Sequence, residues 1–392
     1  MVIKKVIVEK ANRLFKMPPP LLPFSETERT RMFLRRTDVL DLAGFRWPVT
    51  YTEEMQPEPD QLLPASSREI EQTKENLAAW LSERWGTTIN PDKELYLGGS
   101  ITSLIHQLTL ALLDPGDVAF VPEVAVPLYR RAVTAVGAEA IGYEMSAKTD
   151  WRPQFDRLNT RLGRVARMLF VNSPHNPTGV ELSEKDLTDL AWLAGRENVL
   201  VVNDCAYAGI PSQQPTSLMS IRGGRRVGVE VYSLPYLLGL PPMPLGFVVG
   251  HREVISALRP LTRLAPAAVT RHQLTLIARA IQDYPSAALM RIRQDIARRS
   301  AEAVKLVEAL GARGTAALSV PYLWAQLERR TSSTHLARQL YKRHRILVAP
   351  GLSFGDNGEG FVRCCLTADA EVYVDAVRRV SRRKLIKRKG SK

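Results

Sequence analysis

Short, fully apolar runs alternate with longer amphipathic stretches through the first two thirds of the chain. "VAFVP" (118–122), "VARMLFVNSP" (165–174) and "NVLVVND" (198–204) read as strands buried on both faces and ending in polar residues. Val231 to Ser233 closes another such strand, and Gly246 to Gly250 reads as the strand that follows it. "VLDLAG" (39–44) predicts a short strand near the start. Between these runs the period becomes helical. Ile70, Leu77, Trp80 and Leu81 recur at helical spacing from Ser67 to Trp85, and Gly86 is placed to cap that helix. "GGSITSLIHQLTLALLDPGD" (98–117) predicts a glycine turn, an apolar helix and an Asp-Pro-Gly stop, and residues 183–195 predict a helix with Ser183 at its N-cap. Such alternation implies an α/β fold around a mostly parallel sheet. After about residue 285 the texture changes to an Arg-rich helix (287–311), strands near 317–326 and 345–349, and a last helix from about 368. That pattern predicts a second, smaller α+β domain.

At 392 residues the chain is long enough for two cores. It has no leader-like apolar run at its N-terminus and no stretch of about 18 apolar residues, so the expectation is a cytoplasmic protein without membrane contact. Cys205, Cys364 and Cys365 suggest no disulfide framework, and neither they nor the six scattered histidines have metal-ligand spacing. The net charge of +14 is concentrated at the end, where residues 378–392 hold nine Lys/Arg and no acid. Such a segment binds polyanions weakly, without base preference, and more weakly as salt rises. Removing residues 381–392 is therefore expected to abolish retention on heparin or nucleic acid and leave the unfolding midpoint nearly unchanged. Retention that survives the truncation would place the charge elsewhere.

From "NSPHNPTG" (172–179) onward the sequence resembles the class I/II aminotransferases, the fold-type I pyridoxal-phosphate (PLP) family, and in particular its LL-diaminopimelate/aspartate aminotransferase branch. "ANRLFKMPP" and "LDLAG" resemble the family's N-terminal arm, and "GGS" before a helix resembles its phosphate turn. "LLDPGDVAFVPEVAVPLY", "NDCAYAGI" and "APGLSFGDNGEGFVR" continue the match in order. The resemblance implies an arm (1–45) joining the small domain, a large PLP-type domain (46–285), a small C-terminal domain (286–377) and the basic tail (378–392). It puts Asp204 on the cofactor's pyridine nitrogen, Asn176 and Tyr207 on its ring hydroxyl, and Ser100 and Thr102 at its phosphate. Arg363 falls on the arginine that grips a substrate carboxylate. It also implies a homodimer, or a heterodimer with an active paralogue.

The same register exposes departures. Counting back from Gly246-Phe247 puts Tyr236 at the Schiff-base lysine and Pro244 at the phosphate-binding arginine, and no lysine occurs between Lys185 and Lys305. Val126 stands where an aromatic stacks on the ring, "LPASSREI" lacks the tyrosine and glycine that reach a neighbouring subunit, and "LDLAGFRW" lacks the usual Gly-x-Gly-Asp-Pro. Losing the arginine, the tyrosine hydroxyl and the stack is worth roughly 3–7 kcal/mol of cofactor affinity. A tyrosine cannot form an imine. The sequence alone thus leads to the expectation of a non-transaminating pseudoenzyme, or a repurposed pocket for a small carboxylate or amino-acid-like ligand, with no tightly bound cofactor and no confident catalytic residue. The alternatives are a PLP- or pyridoxamine-phosphate (PMP)-dependent biosynthetic enzyme with atypical cofactor binding, and polyanion or nucleic-acid binding through the tail.

Overall fold

The computed structural model describes residues 38–389 apart from 46, 48–54, 156–157, 159–165, 212, 214, 262–268, 315–317 and 329–331, with side chains described as far as Ser381. The early part of the arm, with its Pro18–Pro20 cluster, and the side chains of the last basic residues lie outside that range.

Seven strands form the larger sheet: β2 (Leu95–Gly98), β3 (Val118–Pro122), β4 (Glu139–Tyr143), β5 (Ala166–Asn172), β6 (Leu200–Asp204), β7 (Gly228–Ser233) and β8 (Gly246–Gly250). Their spatial order is β2-β8-β7-β6-β5-β3-β4, and only β8 runs antiparallel to its neighbours. Side chains alternate between the two faces. Phe120, Leu169 and Val201 enter one core, while Ala119, Phe170 and Val202 enter the other. Burial on both sides is what makes these strands read as unbroken apolar runs. β4 is an edge strand with Glu139 and Gly142 exposed, and its mixed pattern gave no strand signal. β2 also escaped the sequence reading.

Helices cover both faces. α1 (Ser67–Trp85) begins in a reciprocal cap between Ser66 and Glu69 and ends at Gly86 in the left-handed region, φ 61°. α2 (Ile101–Leu112) follows β2, with the Ser100 side chain accepting from the Ser103 N–H. α3 (Leu128–Ala135) follows β3. α4 (Glu184–Glu197) has Ser183 at its N-cap, as the sequence predicts. α5 (Leu234–Leu238) is a short helix between β7 and β8.

The second unit is an antiparallel sheet of order β12-β13-β10-β9, built from β9 (Ala312–Arg313), β10 (Tyr322–Leu327), β12 (Ala349–Pro350) and β13 (Phe361–Cys365). The long helices α6 (Ala287–Ala309) and α7 (Ala370–Lys389) pack on each other beside it and share its core. Two details depart from expectation. The strand in "VLDLAG" shrinks to β1 (Leu40–Asp41), which pairs in parallel with β11 (Ile346–Leu347), because the Asp41 carboxylate accepts from the N–H groups of Ala43 and Gly44 and turns the chain. The basic segment does not begin as a separate tail at Arg378. It continues α7, with Val380 only 4% exposed in the core and Arg379 donating to the carbonyl of Asp38.

Candidate active site

The carboxyl ends of β5 and β6, the N-terminal turn of α2, Tyr236 on α5, and β10 and β13 of the smaller sheet line a cavity of about 430 Å³. In open α/β sheets this is where ligands bind. Asn172 and Asp204 are the last residues of β5 and β6, so the ladder that pairs them also aims them into the cavity.

Asp204 is 4% exposed. One of its oxygens accepts from the Tyr129 hydroxyl at 2.7 Å and the other from the Ala206 N–H at 2.9 Å. Burial raises its pKa to about 6, against the smaller opposing effect of those two donors. No cation pairs with it among the described residues. Tyr129 is fully buried, and burial, reinforced by the neighbouring carboxylate, holds its hydroxyl protonated as a donor.

Arg363 is the complementary group. It is 2% exposed on β13 and has no carboxylate partner among the described residues. Nη1 donates to Asn176 Oδ1 at 3.1 Å and Nη2 to the Ala43 carbonyl at 3.0 Å, while Nε is buried without a partner. The guanidinium lies over the rings of Tyr322 and Phe354, at 4.2 and 4.9 Å from their centroids. From Asn176 the network runs on to Tyr207 (3.5 Å), whose hydroxyl meets that of Tyr322 at 2.8 Å. The Asn176 N–H donates to Asn172 Oδ1, and Asn172 Nδ2 donates to the carbonyl of Asp204. Among the described residues, one cavity therefore holds a buried anion and a buried cation that each lack a counter-charge, joined by neutral hydrogen-bonding groups. Burying either charge without a counter-charge is costly. The arrangement suits a ligand that brings a cation to one and a carboxylate to the other.

Of the residues singled out from sequence, Thr102, Asn176, Asp204, Tyr207, Tyr236 and Arg363 line this cavity. Ser100 does not line it; it is the residue just before α2, and its side chain caps that helix. Val126 lines the wall. Pro244 lies beside the glycine turn, its carbonyl 3.8 Å from the position of a Cβ on Gly99. No lysine lines the cavity among the described residues. The Tyr236 ring is parallel to that of Tyr207, 5.8 Å away, and backed by Trp47 at 4.6 Å. Its hydroxyl has no hydrogen-bond partner among the described residues, and burial pushes its pKa up to about 12.

Sequence reasoning missed Tyr129, Asn172, Tyr322 and Phe45. Asn172 stood four residues before Asn176 in the quoted motif. Tyr322 sits in an ordinary strand that reaches the site only through the tertiary fold.

Gly209, in the loop after β6, fixes the position of Tyr236. A methyl group there would run into the carbonyl oxygens of Tyr236 and Leu237. Gly209→Ala is expected to destabilise the fold by roughly 1–3 kcal/mol through forced displacement of α5. A denaturant midpoint unchanged from the parent protein would contradict this.

A family model described as aminotransferase class I and II matches residues 65–380. The LL-diaminopimelate aminotransferase of Halothermothrix orenii is 25% identical over 95% of this chain and 98% of its own length. That of Dehalococcoides mccartyi (strain 195) is 31% identical over 75% of this chain and 76% of its own. Among solved structures, substrate-bound BacF from Bacillus subtilis superimposes with a TM-score of 0.85 at 23% identity, covering 95% of this chain and 96% of that one. These relatives correct the expectation of a non-transaminating pseudoenzyme. Named aminotransferases align along most of the chain, and the cavity still gathers Asp204, Asn176, Tyr207 and Arg363. The expectation of no tightly bound cofactor has no support either, because the matched family is PLP-dependent.

Proposed function

Because the chain belongs to the class I and II aminotransferases, whose fold-type I architecture it has, we propose that it transfers amino groups on a carboxylate-bearing substrate, using a PLP-type cofactor held without a covalent bond to a lysine. One observation carries this reading: Asp204 and Arg363, both buried and both lacking a counter-charge among the described residues, line the same cavity. The residues present fit the cofactor in its amine form, PMP. Asp204 would receive the protonated ring nitrogen and become the missing ion pair. Asn176 and Tyr207 would hold the ring hydroxyl. The first turn of α2, with Thr102, would take the phosphate on free backbone N–H groups. When bound, the cofactor supplies an electron sink for bond breaking at the substrate's α-carbon.

The remaining work falls to the chain. Arg363 positions the substrate carboxylate through a guanidinium whose Nε is still free. The stacked Tyr207 and Tyr236 rings exclude water from one side of the cavity. Tyr236 keeps its proton at neutral pH, so its unbonded hydroxyl is a donor for charge that develops near it. The names of the relatives support amino transfer, while the lining without a lysine supports the non-covalent form.

The test is an assay of the full-length protein with added PMP, an amino acid and a 2-oxo acid, following the new amino acid by chromatography. Transfer is expected, and is expected to disappear in Arg363→Leu. Failure of the parent protein to transfer at saturating PMP would overturn the reading. In a companion measurement, borohydride treatment with PLP is expected to fix no pyridoxyl group on a cavity residue; a stoichiometric adduct on one lysine would contradict the non-covalent arrangement.

A further inference from the structure

We infer that this cavity selects a monocarboxylate with a flat aromatic side chain over a dicarboxylate. The inference rests on the amino-transfer reading for its carboxylate seat and adds the class of side chain. Besides Tyr129, which is bonded to Asp204, four aromatic residues line the cavity that holds Arg363: Phe45, Tyr207, Tyr236 and Tyr322. Phe45 stands edge-on to the first two tyrosines, at 6.2 Å and 75° from Tyr207 and 5.3 Å and 78° from Tyr236. It is tilted by 47° to Tyr322 at 5.8 Å. The Tyr207 and Tyr236 rings stack on each other, 3° from parallel with centroids 5.8 Å apart.

This wall is rigid. Trp47 backs Tyr236 and is anchored by its Nε1 donating to the Leu240 carbonyl at 2.8 Å. The Tyr207–Tyr322 hydroxyl contact fixes the other two rings. The wall also begins at the carboxylate seat, because the Arg363 guanidinium lies over the Tyr322 ring. A ligand held by Arg363 would lay its side chain against this aromatic lining, which favours another ring.

A dicarboxylate meets a different environment. Arg363 is the one cation lining the cavity among the described residues. With the first turn of α2 taken by the cofactor's phosphate, a second carboxylate would be left with neutral donors such as the Tyr236 hydroxyl, which do not repay the desolvation of a full charge. Tyr236 is thus more than a missing lysine. Its ring completes the apolar side of the pocket and leaves out the amine that could have drawn in a second anion.

Two unreactive probes separate the possibilities: 3-phenylpropionate and glutarate, titrated calorimetrically into the full-length protein saturated with PMP. We expect 3-phenylpropionate to bind about tenfold more tightly or better, and Phe45→Ala to weaken it by roughly three- to tenfold while barely changing glutarate. Tyr236→Phe, which keeps the ring, is expected to retain the preference, and Tyr236→Leu to reduce it. Arg363→Leu is expected to abolish binding of both probes. Equal or tighter binding of glutarate, or loss of the preference in Tyr236→Phe, overturns this inference alone provided that both probes still depend on Arg363. Binding that survives Arg363→Leu removes the carboxylate seat, and with it the amino-transfer reading; no binding of either probe overturns both.

Discussion

Arg363→Leu is expected to lower the affinity for carboxylate ligands by roughly 10²- to 10³-fold, the loss of two charge-assisted hydrogen bonds in a buried setting. The guanidinium is buried, its Nε has no partner, and its two other bonds go to neutral acceptors, Asn176 Oδ1 and the Ala43 carbonyl. No carboxylate of the chain competes for it among the described residues, so a ligand carboxylate supplies the first counter-charge it meets. Arg363→Lys keeps the charge and loses the fork, and is expected to recover only part of the binding. Calorimetric titration with a monocarboxylate measures both. A loss below about threefold in Arg363→Leu would mean that the ligand's carboxylate sits elsewhere.

Asp204→Asn is expected to weaken PMP binding by roughly 10- to 100-fold at neutral pH, since a neutral amide cannot pair with a protonated ring nitrogen. The pH dependence follows from the raised pKa. Burial lifts Asp204 to about 6, so the carboxylate is ionised above that value and protonated below it. Binding to the parent protein should therefore fall as pH drops through about 6, beyond any change contributed by the cofactor's own titration, and Asp204→Asn should lack that component.

The same shift affects the unliganded fold. The folded protein holds this proton more tightly than the unfolded chain does. Asp204 therefore withdraws stability as pH rises from about 4 to about 6, by at most about 3 kcal/mol. Asp204→Asn should remove that withdrawal and make the unliganded protein relatively more stable near neutrality. An Asn variant that binds PMP as tightly as the parent, with the same pH profile, would show that Asp204 faces something other than the ring.

Much of this was legible in the sequence because the strands of the large sheet are buried on both sides and carry their polar residues at their carboxyl ends. Asp204 ends such a strand, and the resemblance gives it its role; Asn172 ends the neighbouring strand in the same way but has no place in that resemblance. Asn176 and Arg363 are placed by the resemblance of "NSPHNPTG" and "APGLSFGDNGEGFVR" to the family's motifs. Tyr129 and Tyr322 could not be placed. Tyr322 belongs to the smaller sheet and meets Tyr207 across 115 positions of sequence, and nothing local to a strand such as "YLWAQL" indicates which ring faces a cavity. Tyr129 was visible in "PLY", but its bond to Asp204 depends on how α3 packs.

The end of the chain misled for a simpler reason. A dense run of cations reads as solvated, whereas Val380 anchors its beginning in the core. The functional reading went too far in treating the loss of the lysine and the phosphate arginine as loss of activity. Those residues contribute affinity and a covalent link, but the two buried charges that call for a zwitterionic arrangement of cofactor and substrate remain.

Equilibrium dialysis of the full-length protein against PMP tests the central claim most directly. Retention of one cofactor per chain, reversible on dilution and sharply reduced in Asp204→Asn, is the predicted result. No retention at millimolar PMP, or retention indifferent to Asp204→Asn, would contradict a non-covalent cofactor seat between Asp204 and Arg363.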